Sequence, residues 1–189
     1  MSTTSPTVPV RETIDDLARA PGKAELIGGR IVHYMATGFR PNVVATRILR
    51  SLADHVDASG QGVALSDNMG YVVPELPSGR ESFSPDVSYY GGPFSYDDMR
   101  FLRGAPALAV EVRSEGDYGP AAERSMAAKR ADYFAAGTLV VWDVDPQVDC
   151  VHVFHPDLPD QLTTFRRGEV VDAEPAVPGW RIEVDRIFP

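Results

Sequence analysis

The chain has 189 residues, of which 43% are hydrophobic and 24% are charged; this is the composition of a soluble globular protein and it excludes a disordered chain. The formal net charge of -9 argues against a protein that coats nucleic acid through a basic surface, but it leaves room for a local basic cleft. The single cysteine excludes a disulfide framework, and since no membrane span or secretory signal is visible, we expect a cytoplasmic protein without a membrane partner.

The beginning of the sequence predicts a tail, a short helix and a hairpin. Residues 1–10 are rich in Ser, Thr and Pro and predict a flexible tail, which leaves 11–189 as a single domain. Thr13 is placed to cap a short helix. A glycine pair at 28–29 predicts the turn of a hairpin over residues 24–35.

Two longer helices are predicted, on either side of a strand-rich middle. Apolar residues recur at helical spacing over residues 42–56, and residues 120–136 are rich in strong helix formers. Between them, residues 85–90 and 106–112 predict strands, the second so apolar that it should be buried on both faces. The stretch 91–103 predicts a loop with a short helix near 96–101.

Further strands are predicted at 139–142 and in the C-terminal part of the chain, between residues 151 and 184. Asp143 and Asp145 are expected to cap the turn at Pro146. The element order predicts an α+β (mixed α/β) fold, with a central mixed sheet, two main helices and extra C-terminal strands.

Three acidic residues stand where carboxylates are informative. Asp86 opens a strand, Glu111 lies in the most apolar strand, and Glu25 begins the hairpin. A carboxylate in such a strand must be paired or bound to a cation. Two converging carboxylates repel each other until a divalent cation binds, and oxygen ligands favour Mg²⁺ or Mn²⁺. We therefore expect replacement of Asp86 by alanine to relieve strain in the metal-free protein.

Two cations lie close to Glu111 in the sequence. Arg113 shares its face of the strand, because it follows two residues later. Lys129 lies on the next helix, which should pack back over the sheet. Either residue is suited to orient a water molecule or to steady negative charge on a phosphate. Whether the arginines at 40, 47, 50, 113, 124 and 130 line one cleft with Lys129 stays open.

Several segments, in the same order along the chain, resemble the Uma-two family of restriction-endonuclease-like proteins, which belongs to the PD-(D/E)XK nuclease superfamily. They are residues 24–32 (AELIGGRIV), 84–88 (SPDVS), 109–114 (AVEVRS), 129–133 (KRADY) and 141–146 (VWDVDP). The resemblance implies a restriction-endonuclease-like core with a metal site.

Residue by residue, the resemblance implies that Asp86 is the aspartate of the PD motif and that Glu111 is the second acidic ligand. Val112 would lend its backbone carbonyl to the metal, Lys129 is the active-site lysine moved to a helix, and Glu25 is the early acidic residue. The implied function is a metal-dependent endonuclease that hydrolyses DNA with Mg²⁺ or Mn²⁺.

The sequence departs from the family pattern at two places. Arg113 stands where the superfamily has a lysine; an arginine stabilises charge but does not act as a base. Residues 38–42 contain no histidine, although a histidine often opens the first long helix in this family. A catalytically inactive nuclease fold, acting as an oligomeric binding or regulatory module, is therefore the main alternative.

Two further expectations concern assembly and a rival fold. We expect a homodimer, because C₂ dimers are the commonest assembly and two sites extend the reach over a duplex. The strands between residues 151 and 184 are candidates for the contact, since they exceed what a minimal core needs. A small β-rich domain of the cupin type is the less favoured rival, because it would need a histidine cluster with ligand spacing.

Overall fold

The structure is a computed structural model that describes residues 10–189. The predicted tail over 1–10 lies outside the described residues, except for Val10. The helices of the described chain are α1 Ile14–Leu17, α2 Phe39–Ser59, α3 Pro120–Ala135 and α4 Val184–Ile187. Its strands are β1 Ala24–Ile27, β2 Arg30–His33, β3 Val63–Ser66, β4 Tyr71–Val72, β5 Ser82–Phe83, β6 Val87–Tyr90, β7 Leu102–Arg103, β8 Leu108–Val112, β9 Val140–Asp145, β10 Cys150–Phe154, β11 Thr163–Arg166, β12 Val170–Asp172 and β13 Arg181–Glu183.

The largest sheet has six strands in the order β11-β10-β9-β8-β6-β3. All neighbours are antiparallel except β8 and β9, which run parallel. A parallel pair needs a crossover connection, and α3 supplies it. This mixed sheet with two long helices confirms the predicted α+β fold.

The two faces of the sheet are covered by different helices. Apolar residues of α2, such as Ile48 and Leu52, pack against the face that contains Val110 and Trp142. The other face contains Ala109 and Val141 among others and packs against α3 through Tyr133. Successive side chains of a strand alternate between the faces. Asp86, Glu111 and Asp143 therefore lie on the face that packs against α3.

The C-terminal strands and α4 form part of the main core. Trp180 is buried and stacks on Trp142, with 5.1 Å between the ring centroids. Ile182 and Ile187 are also buried in this cluster. The expectation that residues 151–184 exceed what the core needs is therefore wrong in part: β10 and β11 are strands of the large sheet, and residues such as Trp180 and Ile182 pack against the same face as α2.

Two local predictions differ from the structure. Helix α2 begins at Phe39, three residues before the predicted start, because proline is tolerated in the first turn and Pro41 lies there. No helix forms over residues 96–101. The N–H of Asp98 instead donates to the carbonyl of Ser95 in a turn, and β7, which starts directly after residue 101, pairs with β4. Within residues 10–189, no helix combines the length and apolar composition that crossing a lipid bilayer requires.

Candidate active site

The sheet register brings Asp86 and Glu111 together. In the antiparallel pair β6–β8, Val87 lies opposite Val110, and one step further along this ladder Asp86 faces Glu111. The ladder continues there, because the N–H of Asp86 donates to the carbonyl of Val110 over 3.1 Å. Facing residues point to the same side of a sheet, with Cβ atoms about 5 Å apart. The two carboxylates therefore share the α3 face.

These side chains open into a cavity of about 920 Å³ between the sheet, α3 and the segment that follows β2. Residues with ionisable or hydroxyl groups line much of it, among them Lys23, Asp86, Glu111, Arg113, Lys129 and Tyr133. Gly38 and Pro41 also line it. Residues 38–42, the segment that lacks the histidine often found in this family, therefore contribute to the cavity wall.

Glu25 lies beneath this cavity and is fully buried. Its Oε1 accepts the N–H of Ser84 over 2.9 Å and lies 3.1 Å from Lys129 Nζ. Its Oε2 accepts the Tyr34 hydroxyl over 2.8 Å and pairs with the Arg80 guanidinium. The carboxylate ties the hairpin, the strand before Asp86 and α3 to one another.

Arg80 is a residue that sequence reasoning missed, because it lies in a stretch that looks like a polar loop. Its side chain is only 8% exposed. Besides Glu25, it binds Asp132 of α3 through Nε over 2.9 Å. A buried arginine between two carboxylates acts as a structural clamp, and no local sequence pattern distinguishes it from an exposed arginine.

Lys129 projects from α3 between Glu25 and Glu111, with its Nζ 2.9 Å from Glu111 Oε1. The Tyr133 hydroxyl donates to the same oxygen over 2.6 Å. Burial lowers the pKa of Lys129, but the charges of the two glutamates outweigh burial, and the pKa lies above its usual range. Lys129 is therefore an ammonium group at neutral pH and not a base.

Lys23 is the second residue near the cavity that sequence reasoning missed. Its Nζ lies 2.6 Å from Asp86 Oδ1 and 2.6 Å from Asp67 Oδ1. The other oxygen of Asp86 accepts the N–H of Val112 over 2.7 Å. The signal in the sequence is weak: Lys23 precedes Glu25 by two residues, the spacing that puts two strand residues on one face.

Arg113 does share the face of Glu111, but its guanidinium is held by other carboxylates. It binds Asp143 through Nε and Nη2, both over 2.7 Å, and Glu123 through Nη1 over 2.6 Å. Asp143 is a buried residue of β9, so its predicted role as a turn cap is wrong. Asp145 does accept the N–H of Gln147 in the turn, over 2.8 Å.

The basic residues considered for one cleft are distributed over several places. Arg113, Lys129 and Arg130 line the cavity. Arg40 instead pairs with Asp149, and Arg47 donates to the backbone carbonyl of Phe188. The cavity therefore has a small group of cations, and no continuous basic cleft includes Arg40 or Arg47.

The donor chemistry of the cavity fits a divalent cation such as Mg²⁺ or Mn²⁺. Asp86 and Glu111 supply oxygen donors that face each other, which is the donor type these ions prefer. A cation already lies against this pair, since the Lys23 ammonium contacts Asp86. In the part of the chain that the structure describes, no cluster of three or more Asp, Glu, His or Cys side chains is arranged for a metal. A metal ion held here would therefore have the carboxylates of Asp86 and Glu111, together with backbone oxygen, as its protein ligands.

The Glu25 carboxyl should remain ionised in acid. Burial raises its pKa, but Lys129, Arg80 and the donors from Ser84 and Tyr34 lower it more, from the usual 4.5 to about 2. A lowered pKa stabilises the fold fully above pH 4.5, and this stability is lost as the pH falls toward about 2. The carboxyl ¹³C resonance of Glu25 should therefore not titrate between pH 6 and pH 4.5; a midpoint at its usual value would contradict this environment.

Comparisons with known proteins agree with this architecture. The model of the Uma2 family, described as "Putative restriction endonuclease", matches residues 11–185. The search of curated proteins finds no match. Among solved structures, the chain is similar to "a putative nuclease belonging to DUF820" from Anabaena variabilis, with 17% identity and a TM-score of 0.74. The similarity covers 93% of this chain and 97% of that one, and it shows that the two share a fold.

Proposed function

The chain belongs to the Uma2 family, and we propose that it is a metal-dependent endonuclease that hydrolyses phosphodiester bonds of DNA. The observation that supports this most is the facing pair Asp86 and Glu111, which opens into one cavity beside the Lys129 ammonium. An acid pair with an adjacent cation is an arrangement suited to phosphoryl transfer, which requires positioning and charge stabilisation.

Asp86, Glu111 and the backbone carbonyl of Val112 would hold Mg²⁺ or Mn²⁺. When bound, such an ion supplies Lewis-acid polarisation of a phosphate and lowers the pKa of bound water.

The protein itself supplies a fixed positive charge. Lys129 keeps its ammonium beside Glu111, with the rings of Tyr34 and Tyr133 at 5.6 and 5.8 Å from Nζ. This position suits it to steady the negative charge that develops on a phosphate. Glu25 is a positioning residue in this proposal, because it holds Lys129 and is fully buried. Arg113 is also a positioning residue, since Asp143 and Glu123 occupy its guanidinium.

The alternative is a catalytically inactive binding or regulatory module with the same fold. Two observations favour it. Residues 38–42 provide no histidine to the cavity wall, and both Asp86 and Glu111 already have a lysine partner without metal. The two functions differ in one property: the endonuclease cleaves DNA when Mg²⁺ or Mn²⁺ is added, and the module does not.

Replacing Lys129 tests the proposed role of its charge. We expect Lys129→Met to reduce cleavage of supercoiled plasmid by about 100-fold or more, the typical effect of removing one group that stabilises transition-state charge. Lys129→Arg should retain part of the activity. The measurement is the cleavage rate with Mg²⁺, with Mn²⁺ and with chelator.

Arg124 of the same helix is exposed and provides the control, because Arg124→Met should cleave like the wild type. Equal cleavage rates for wild type and Lys129→Met would show that Lys129 has no role in the reaction. A folded wild type that cleaves neither double-stranded nor single-stranded DNA with either metal would favour the binding module.

We also propose that the protein is a homodimer. A duplex presents two strands, and two-fold dimers are the commonest way to bring two identical sites to them. Several apolar residues of the segment 151–184, such as Val153 and Trp180, are buried in the core, so these residues do not form the contact. Sedimentation velocity at micromolar concentration should give a species of twice the 20.6 kDa chain mass; a single species of chain mass would contradict the dimer.

A further inference from the structure

We infer that Lys23 is a built-in counterion that occupies the cation position beside Asp86 and must be displaced when a divalent ion binds. The inference rests on the proposed metal site and adds a residue to it. It predicts that Lys23 lowers the metal affinity while it stabilises the metal-free protein.

The contacts of Asp86 show which group must leave. Its Oδ1 is 2.6 Å from Lys23 Nζ, and its Oδ2 accepts the backbone N–H of Val112 over 2.7 Å. Among the described contacts, both oxygens of Asp86 are therefore in use. The N–H of Val112 belongs to β8 and is fixed, whereas the lysine ammonium is carried on a flexible four-carbon stem. Lys23 is the partner that can move.

The electrostatics explain why a cation is needed there without metal. Asp86 and Glu111 face each other, and the side chain of Asp86 is only 12% exposed. Two such carboxylates repel when neither has a counterion. The Lys23 side chain is 15% exposed, and its charge acts on both carboxylates. A lysine side chain carries an ammonium group at neutral pH.

A second partner can retain the displaced ammonium. Asp67 Oδ1 lies 2.6 Å from Lys23 Nζ, and the side chain of Asp67 is 41% exposed. Asp67 is itself held in its turn by the N–H of Asn68, over 2.8 Å. When Lys23 leaves Asp86, it therefore keeps one carboxylate partner, Asp67.

The test is Mn²⁺ titration calorimetry together with thermal melts in chelator. We expect Lys23→Met to bind Mn²⁺ at least about tenfold more tightly than wild type, because no internal cation then competes at Asp86, and to melt at a lower temperature without metal. Lys23→Arg keeps the positive charge, and a guanidinium forms bidentate hydrogen bonds with carboxylates. This variant should therefore bind Mn²⁺ no more tightly than wild type. Arg19→Met, which removes an exposed ion pair with Asp16, is the control.

The outcomes separate this inference from the metal site itself. Equal or weaker Mn²⁺ binding by Lys23→Met would overturn the counterion role and leave the metal site standing. Absence of Mn²⁺ binding in both proteins would overturn the metal site, and the inference with it. If Lys23→Met does not fold, tighter Mn²⁺ binding by Lys23→Arg than by wild type would overturn the inference.

Discussion

Asp86→Asn is expected to abolish metal-dependent DNA cleavage and to lower the stability of the metal-free protein. The loss of activity should be about 100-fold or more, since a metal contributes several kcal/mol to such a reaction. Without metal, the variant loses the ion pair with Lys23. Asparagine still accepts the N–H of Val112, and Lys23 keeps Asp67, so we expect a cost of about 2 kcal/mol, below the usual cost of breaking a buried pair.

This expected loss of stability is opposite to the sequence-based expectation that removing Asp86 relieves strain in the metal-free protein. That expectation assumed two unpaired carboxylates, whereas Lys23 and Lys129 pair with them. Melts in chelator should show a drop of roughly 4–8 °C, and cleavage assays with Mn²⁺ should show a rate lower than that of wild type by about 100-fold or more. Asp97→Asn in the exposed loop before β7 is the matched control. An Asp86→Asn variant that cleaves like wild type would exclude Asp86 from the site.

The largest effect on stability is expected for Arg80→Met. This change leaves the fully buried carboxylate of Glu25 with one fewer positive charge beside it, and it removes the ion-pair partner of Asp132. Removing one partner of a buried ion pair costs about 3–5 kcal/mol. For a chain of this size, the melting temperature should fall by roughly 6–20 °C.

Thermal or urea unfolding measures this effect. Arg40→Met is the matched control, since Arg40 is 50% exposed and pairs with Asp149 at the surface; it should cost less than about 1 kcal/mol. Arg80→Lys keeps the positive charge but loses the planar guanidinium that contacts both Glu25 and Asp132. Its stability should therefore lie between those of wild type and Arg80→Met. Equal stability of the Arg80→Met and Arg40→Met variants would show that Arg80 is no structural clamp.

The regular elements were predictable because their patterns are local. The apolar stripe of α2 follows from helix geometry, and the continuous apolar run of β8 is typical of a strand buried on both faces. The motif order also predicts that Asp86, Glu111 and Lys129 belong to one site, and the structure places all three at one cavity. Their roles there remain a proposal.

The counterions were not predictable, since they depend on contacts between distant parts of the chain. Lys23 reaches Asp86 across 63 positions and Arg80 reaches Glu25 across 55. Neither contact leaves a periodic pattern in the sequence. The short strand β7 was missed for a similar reason: two residues form it only because β4 lies alongside, and no local propensity marks them.

The most direct test of the account is a count of bound Mn²⁺ by electron paramagnetic resonance, on wild type, Asp86→Asn and Glu111→Gln. In the proposed function, the facing carboxylates of Asp86 and Glu111 together form one metal site. We therefore expect wild type to take up Mn²⁺ and each variant to lose that uptake, although Glu111→Gln is otherwise conservative and Asp86→Asn keeps the Val112 hydrogen bond. Uptake by both folded variants equal to that of wild type would contradict the account.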